Sequence, residues 1–288
     1  MVNPDQSMAG KICLITGATA GIGKETALGL ARQGATVVVA GRNRERCTAT
    51  VEQIKAQTGN SSVDFLLADL SSLQEVRNLA GQVKEKYPRL DVLVNNAGAI
   101  MLSRRLSVDG IELTFALNHL SYFLLTNSLL DHLVASAPAR IVNVSSSSHR
   151  RTRLNFDNLQ FHRRYGGYRA YAQSKLANVL FSYELARRLD GSGVTVNVLH
   201  PGLVATNFLS NNGKLGQFLC FFMGLRGMNA AKGALTSIYL AGSTEVEGVT
   251  GRYFEKSREV RSAPASYDRS AAERLWQVSA EMTGLNAG

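Results

Sequence analysis

The chain has 288 residues, 45% of them hydrophobic and 19% charged, with only five prolines and three cysteines. That much apolar material fills a core and excludes wholesale disorder, and three distant cysteines (Cys13, Cys47, Cys220) make neither a disulfide framework nor a zinc pattern. The net charge of +10 suits anionic ligands, but the arginines are scattered, with no aromatic-interleaved stripe or helix-turn-helix pattern, so no nucleic-acid partner is expected.

Short apolar strands alternate with amphipathic helices. Lys11 to Thr16 reads as a buried strand, Gly21 to Gln33 as helix, and Ala35 to Ala40 as a β-branched strand. Residues 43–58 carry Cys47, Val51 and Ile54 on one helical face, and Val63 to Leu67 returns to strand. Ser71 to Lys86 places Leu73, Val76, Leu79 and Val83 at helical spacing. Asp91 to Val94 is a strand, Leu106 to Ser136 mainly helix, and Arg140 to Val144 a strand. Tyr168 to Leu189 reads as helix and Val194 to Leu199 as strand; the remainder is mixed.

Strands nearly continuous in Val, Ile and Leu are buried on both faces, which implies a parallel sheet. The expected fold is α/β: a single doubly wound, Rossmann-type parallel sheet with helices on both faces. Residues 1–9 read as a tail and 10–288 as one domain, with a lid-like insertion at about 207–228. That insertion is apolar and punctuated by glycine, and Ser145 to Gly167 is a long polar stretch without clear periodicity. Both should lie beyond the carboxyl ends of the strands, where ligands of such sheets sit. The most apolar run, Leu215 to Leu225, is well short of the roughly 20 residues that span a bilayer. No signal peptide is read before the apolar run Ile12 to Ile15. A soluble, cytoplasmic chain is expected, with peripheral membrane contact and homo-oligomerisation left open.

Four motifs carry chemistry. Gly17, Gly21 and Gly23 lie between the first strand and the first helix. They suit a tight turn, a close approach to a pyrophosphate and helix–sheet packing, so the segment with Thr19 and Ile22 is a dinucleotide-binding candidate. The second strand ends in Gly41-Arg42, where an NAD site carries a carboxylate. A guanidinium there pairs with a 2′-phosphate, and NADP(H) is the expected cofactor. Tyr171 and Lys175 share a helix face at i, i+4, and the lysine cation should bring the phenol toward working range. Finally, Ile141 to Val144 runs into Ser145 and Ser146, hydroxyls placed to meet a substrate carbonyl.

In this order and spacing the four motifs resemble the short-chain dehydrogenase/reductase family over about residues 9–255. Further matches are Ala68-Asp69-Leu70, Asn95-Asn96-Ala97-Gly98, Asn118 and His200-Pro201-Gly202 through Thr206. Ser174 to Leu180 and Asn155 to Leu159 look most like the retinol dehydrogenase-like branch, with light-dependent protochlorophyllide reductases as similar neighbours.

The resemblance implies an oxidoreductase interconverting a lipophilic aldehyde or ketone and its alcohol. In it Tyr171 is the proton donor, Lys175 binds the nicotinamide ribose and tunes Tyr171, and Ser146 rather than Ser145 orients the carbonyl. Asn118 holds a relay water. Asp69 meets adenine, Asn95 and Gly98 flank the adenosine ribose, Leu70 and Ala97 belong to the same cofactor site, and Pro201, Gly202, Val204 and Thr206 line the nicotinamide. No metal is implied. The alternatives are a reductase of a conjugated C=C bond and a non-catalytic NADP(H)-binding sensor.

Overall fold

The computed structural model describes residues 7–202 and 230–285. The chain order is β1 (Ile12–Thr16), α1 (Gly21–Arg32), β2 (Thr36–Gly41), α2 (Arg44–Thr58), β3 (Val63–Leu67), α3 (Leu73–Lys86) and β4 (Val92–Asn95). After these come α4 (Leu113–Phe115), a π turn (Ala116–Leu120), α5 (Ser121–Ser128), α6 (Leu130–Ala135) and β5 (Ala139–Val144). Then follow α7 (Gly167–Arg188), β6 (Val194–His200), α8 (Ala230–Gly242), β7 (Arg252–Glu255), β8 (Arg258–Glu259) and α9 (Arg269–Thr283).

The strands make one sheet in the order β3-β2-β1-β4-β5-β6-β7-β8. Every pairing is parallel except β7 with β8. Alternation along the strands sorts the core into two layers. Leu14, Val38, Leu93 and Ile141 pack on one face with residues of α3, α5, α7 and α9, including Val76, Phe123, Phe181 and Trp276. Their neighbours Cys13, Val37, Val92 and Val142 pack on the other face with α1, α2 and α8, including Leu30, Ile54 and Leu240. Removing a fully buried side chain such as Leu93 leaves a cavity that costs about 2–5 kcal/mol.

The strand order reverses between β1 and β4, which opens a crevice at their carboxyl ends. The opposite ends of these strands are locked by Asp91. This carboxylate, 2% exposed, accepts from Ile12 N at 2.9 Å and pairs with Lys11 and Arg89.

Two stretches differ from the sequence expectation. The helix expected from Leu106 begins only at Leu113. Ser107 to Gly110 instead turns tightly, with Gly110 N donating to Ser107 O and Gly110 at φ +76°, and Leu106 bridges Glu112. Buried Glu112 then caps α4 by accepting from the backbone N–H groups of Thr114 and Phe115. The expected helix is also interrupted by the π turn and at Leu129. The Ser145–Gly167 stretch holds two short 3-10 turns, Ser147–Arg151 and Phe156–Asn158.

Candidate active site

The glycine turn is fixed by sterics. Gly17 has φ +63°, and a Cβ there would stand 2.8 Å from Ala97 Cα, so a side chain would drive β1 and β4 apart. At Gly23 a Cβ would meet Asn96 Nδ2 at 2.4 Å and Gly17 O at 2.6 Å. Asn96 staples the turn from β4, donating to Thr16 O at 2.8 Å, while Thr16 Oγ1 accepts from the N–H groups of Asn96 and Ala97. Asn96 and Thr16 were not among the sequence candidates, although both lie inside the motifs that were.

Helix α1 starts from Ala20, which offers no capping side chain, and its first turn carries no acidic residue. By contrast, α2 and α3 are capped by Asn43 and Ser72. The first N–H groups of α1, beside half-buried Thr19 and Ile22, therefore face the crevice without a side-chain acceptor at the cap. At the end of β2, Gly41 makes room for Thr19 and Cys47, since a Cβ would lie within 2.9 Å of both. Arg42 follows, its side chain 61% exposed, with a guanidinium nitrogen 4.0 Å from Asp69. A cradle open to the helix terminus fits the pyrophosphate of a dinucleotide.

Asn118 sits in the π turn and is fully buried. Its side chain grips Ala99 from both sides, accepting from Ala99 N at 2.8 Å and donating to Ala99 O at 2.9 Å. Its main-chain carbonyl accepts from Asn178 Nδ2 at 2.8 Å. Gly98 lies beside this corner: a Cβ there would stand 3.2 Å from Asn118 Oδ1 and 3.3 Å from Lys175 Nζ.

Lys175, 3% exposed on α7, donates to Val144 O at 3.0 Å. Burial brings its ammonium down from the ordinary 10.5 to about 7. One turn earlier, half-buried Tyr171 hydrogen-bonds Ser146. The phenol is nevertheless held above its ordinary range, because burial outweighs the Ser146 hydrogen bond. The expected lowering by Lys175 is not seen here. The ammonium is directed at Val144 O and lies 5.8 Å from the Tyr171 ring centre, and desolvation works against both charges.

The two adjacent serines separate cleanly. Ser145 is buried and donates to Lys175 O at 2.7 Å, tying β5 to α7. Ser146 is half-buried, caps the Ser147–Arg151 turn and meets Tyr171.

Other sequence candidates are placed differently. Asn95 is fully buried, and its amide donates to Thr126 Oγ1 and Asn143 Oδ1, both at 2.9 Å. Leu70, 6% exposed, belongs to the core. Neither side chain is presented to a ligand, so the expected Asn95–ribose contact has no exposed side-chain atom to make it. Pro201 and Gly202 are half-buried just beyond β6. Val204, Thr206 and the lid-like 207–228 lie outside the described residues. Sequence reasoning missed Asn178, which holds the Asn118 carbonyl, and His149, behind Ser146.

The short chain dehydrogenase family model matches residues 11–215, and the chain belongs to that family. It is 43% identical to human (Homo sapiens) retinol dehydrogenase 13 over 289 aligned positions, covering 98% of this chain and 87% of that protein. A crystal structure of an uncharacterized Mycobacterium Paratuberculosis protein superposes with a TM-score of 0.79 at 32% identity, covering 97% of this chain and 96% of the other. A Pseudomonas aeruginosa RhlG/NADP active-site complex superposes with a TM-score of 0.68 at 32% identity, covering 88% and 97%. The chain is an oxidoreductase of this family, built for a nicotinamide cofactor. No described helix is long and apolar enough to cross a membrane.

Proposed function

We propose that the protein is an NADPH-dependent reductase of lipophilic aldehydes or ketones, reversible toward the alcohol. The observation that carries the reading is the convergence of Ser146, Tyr171 and Lys175 at the carboxyl ends of β5 and α7's first turns. Gly17, Gly21, Gly23 and the α1 N-terminus would hold the pyrophosphate, and Arg42 the 2′-phosphate. Asp69 and Ala97 would stand at the adenosine end, with Pro201 and Gly202 at the nicotinamide end. When bound, the cofactor supplies the hydride.

The chain's own residues manage the proton. Burial keeps the Tyr171 phenol protonated through the neutral range, the form needed to donate to a carbonyl oxygen. Ser146 Oγ, joined to the same phenol, orients that oxygen. Lys175 commits one N–H to Val144 O and keeps two more for a ribose and for the tyrosinate left after transfer. Asn118 fixes the loop beside it through Ala99. The name of the retinol dehydrogenase relative supports an apolar substrate.

The test is NADPH consumption over a panel of straight-chain aldehydes and ketones. Turnover should rise with chain length, and Tyr171→Phe should lose about 10²-fold or more while still binding cofactor. Near-normal turnover in Tyr171→Phe would overturn the reading.

A further inference from the structure

His149 is buried directly behind Ser146 and has no place in the scheme above. Its imidazole is fully enclosed and bonded at both nitrogens. Nδ1 lies 2.6 Å from Ser146 O, and Nε2 lies 3.0 Å from Ala263 N. A backbone N–H can only donate, so Nε2 must accept and Nδ1 must carry the proton. That proton points at the Ser146 carbonyl. The same carbonyl accepts from the His149 backbone N–H at 3.1 Å, so one residue grips it twice. Burial, Arg150 and His200 together bring the ring down to about 4, despite the opposing pull of the Ser146 carbonyl. The neutral tautomer is therefore the stable one.

The far side of this bridge is equally fixed. Ala263 belongs to a segment held by Arg150, which donates to Arg261 O at 2.7 Å, and by the 2.7 Å hydrogen bond between Tyr183 and Ser262. Tyr253 packs against the imidazole with ring centres 5.0 Å apart. Ser146 itself has an extended backbone and a short polar side chain, so a small rotation of its peptide would swing Oγ away from Tyr171.

We propose that His149 is a positioning residue for the reaction: as a neutral, Nδ1-protonated bridge it ties the Ser146 carbonyl to Ala263 and so keeps the Ser146 hydroxyl aligned with Tyr171. The segment after β8 thereby becomes part of the active-site frame. This rests on the functional reading above.

Two isosteres separate the two ends of the bridge. In His149→Asn the amide nitrogen can replace Nδ1 as the donor to Ser146. In His149→Gln the amide reaches only the Nε2 position, toward Ala263. With the aldehyde found most active, His149→Gln should lose about tenfold in kcat with little change in KM and with NADPH Kd within about twofold. His149→Asn should recover to within about threefold of the parent. Should His149→Gln fail to bind NADPH, Ala263→Pro takes its place. Ala263 has φ −68°, which proline accepts, and the ring would replace the N–H facing Nε2 and displace the imidazole. It should show the same split between kcat and cofactor affinity. Parent-like turnover in His149→Gln, or equal losses in Gln and Asn, would overturn the proposal. One readout needs no turnover: a long-range proton–nitrogen spectrum of histidine-labelled protein, with His149 assigned by the signal missing in His149→Gln. The Nδ1–H tautomer is expected there, and Nε2–H would refute the bridge. Full turnover in Tyr171→Phe would instead count against the proposed function, leaving the tautomer to judge His149.

Discussion

Lys175 is a buried amine, and that has a thermodynamic consequence. Its ammonium is brought from 10.5 to about 7 by desolvation, and among the described residues no carboxylate pairs with it. The unfolded chain therefore binds this proton up to about pH 10.5, while the folded chain releases it above about pH 7. Between these values the unfolded state holds more protons, so stability from this group rises with pH; below pH 7 the full penalty remains. At about 1.4 kcal/mol per pH unit, the penalty at neutral pH is on the order of 4–5 kcal/mol. Lys175→Met removes it but also strands the Val144 carbonyl, at about 1–2 kcal/mol. A net gain of about 2–4 kcal/mol at pH 7 follows, or roughly 3–7 °C in Tm. By pH 10 the gain should vanish. Thermal unfolding of both cofactor-free proteins at pH 7 and pH 10 measures this directly. A variant that gains nothing at pH 7, or keeps the same gap at both pH values, would refute the reasoning. The same variant should lose turnover, because the proposed reaction uses the Lys175 ammonium that the fold buries at a cost.

Two further outcomes follow from the cofactor cradle. NADPH should bind at least about tenfold tighter than NADH, on the order of 1.4 kcal/mol, and Arg42→Asp should narrow or invert that ratio in a fluorescence titration. Equal affinities in the parent would remove Arg42 from its role. Gly23→Ala should lower Tm by the equivalent of about 1–3 kcal/mol and weaken both nicotinamide cofactors alike, because its Cβ would collide with backbone as well as with Asn96. Unchanged binding of both cofactors would count against the cradle.

Most of the architecture was legible because each strand is a short apolar block and each helix has its own periodic face. The first seven elements fall within two residues of their expected bounds. The failure at Leu106 has a local cause: Ser107-Val-Asp-Gly110 closes a hydrogen-bonded turn that an apolar count over a longer window does not register. The π turn was invisible because its sequence, Ala116 to Leu120, is ordinary helix; its widening is seen only with Asn178 bonded to the Asn118 carbonyl. Motif spacing located Tyr171, Lys175 and the glycines, whose roles depend on local geometry. It could not distinguish Asn95 from Asn96, since adjacent residues point to opposite sides and only packing shows which amide faces the turn. The direction of the Tyr171 shift was also beyond it, because burial depends on the whole fold rather than on a neighbour one turn away.

The position of β4 between β1 and β5 also sets a timetable. Thr16 and Asn96, whose hydrogen bonds close the cradle, are 80 residues apart in the chain. A ribosome adding roughly 5–20 residues per second needs on the order of 4–16 s to cover that gap. During that interval β1 and β2 can pair, yet one edge of β1 stays open, and the glycine turn has no Ala97 to rest against. The β1–α1–β2 unit is thus made well before it can hold a nucleotide. Its Val- and Ile-rich strands depend on the nascent chain staying unaggregated until the sheet can grow from its middle outward.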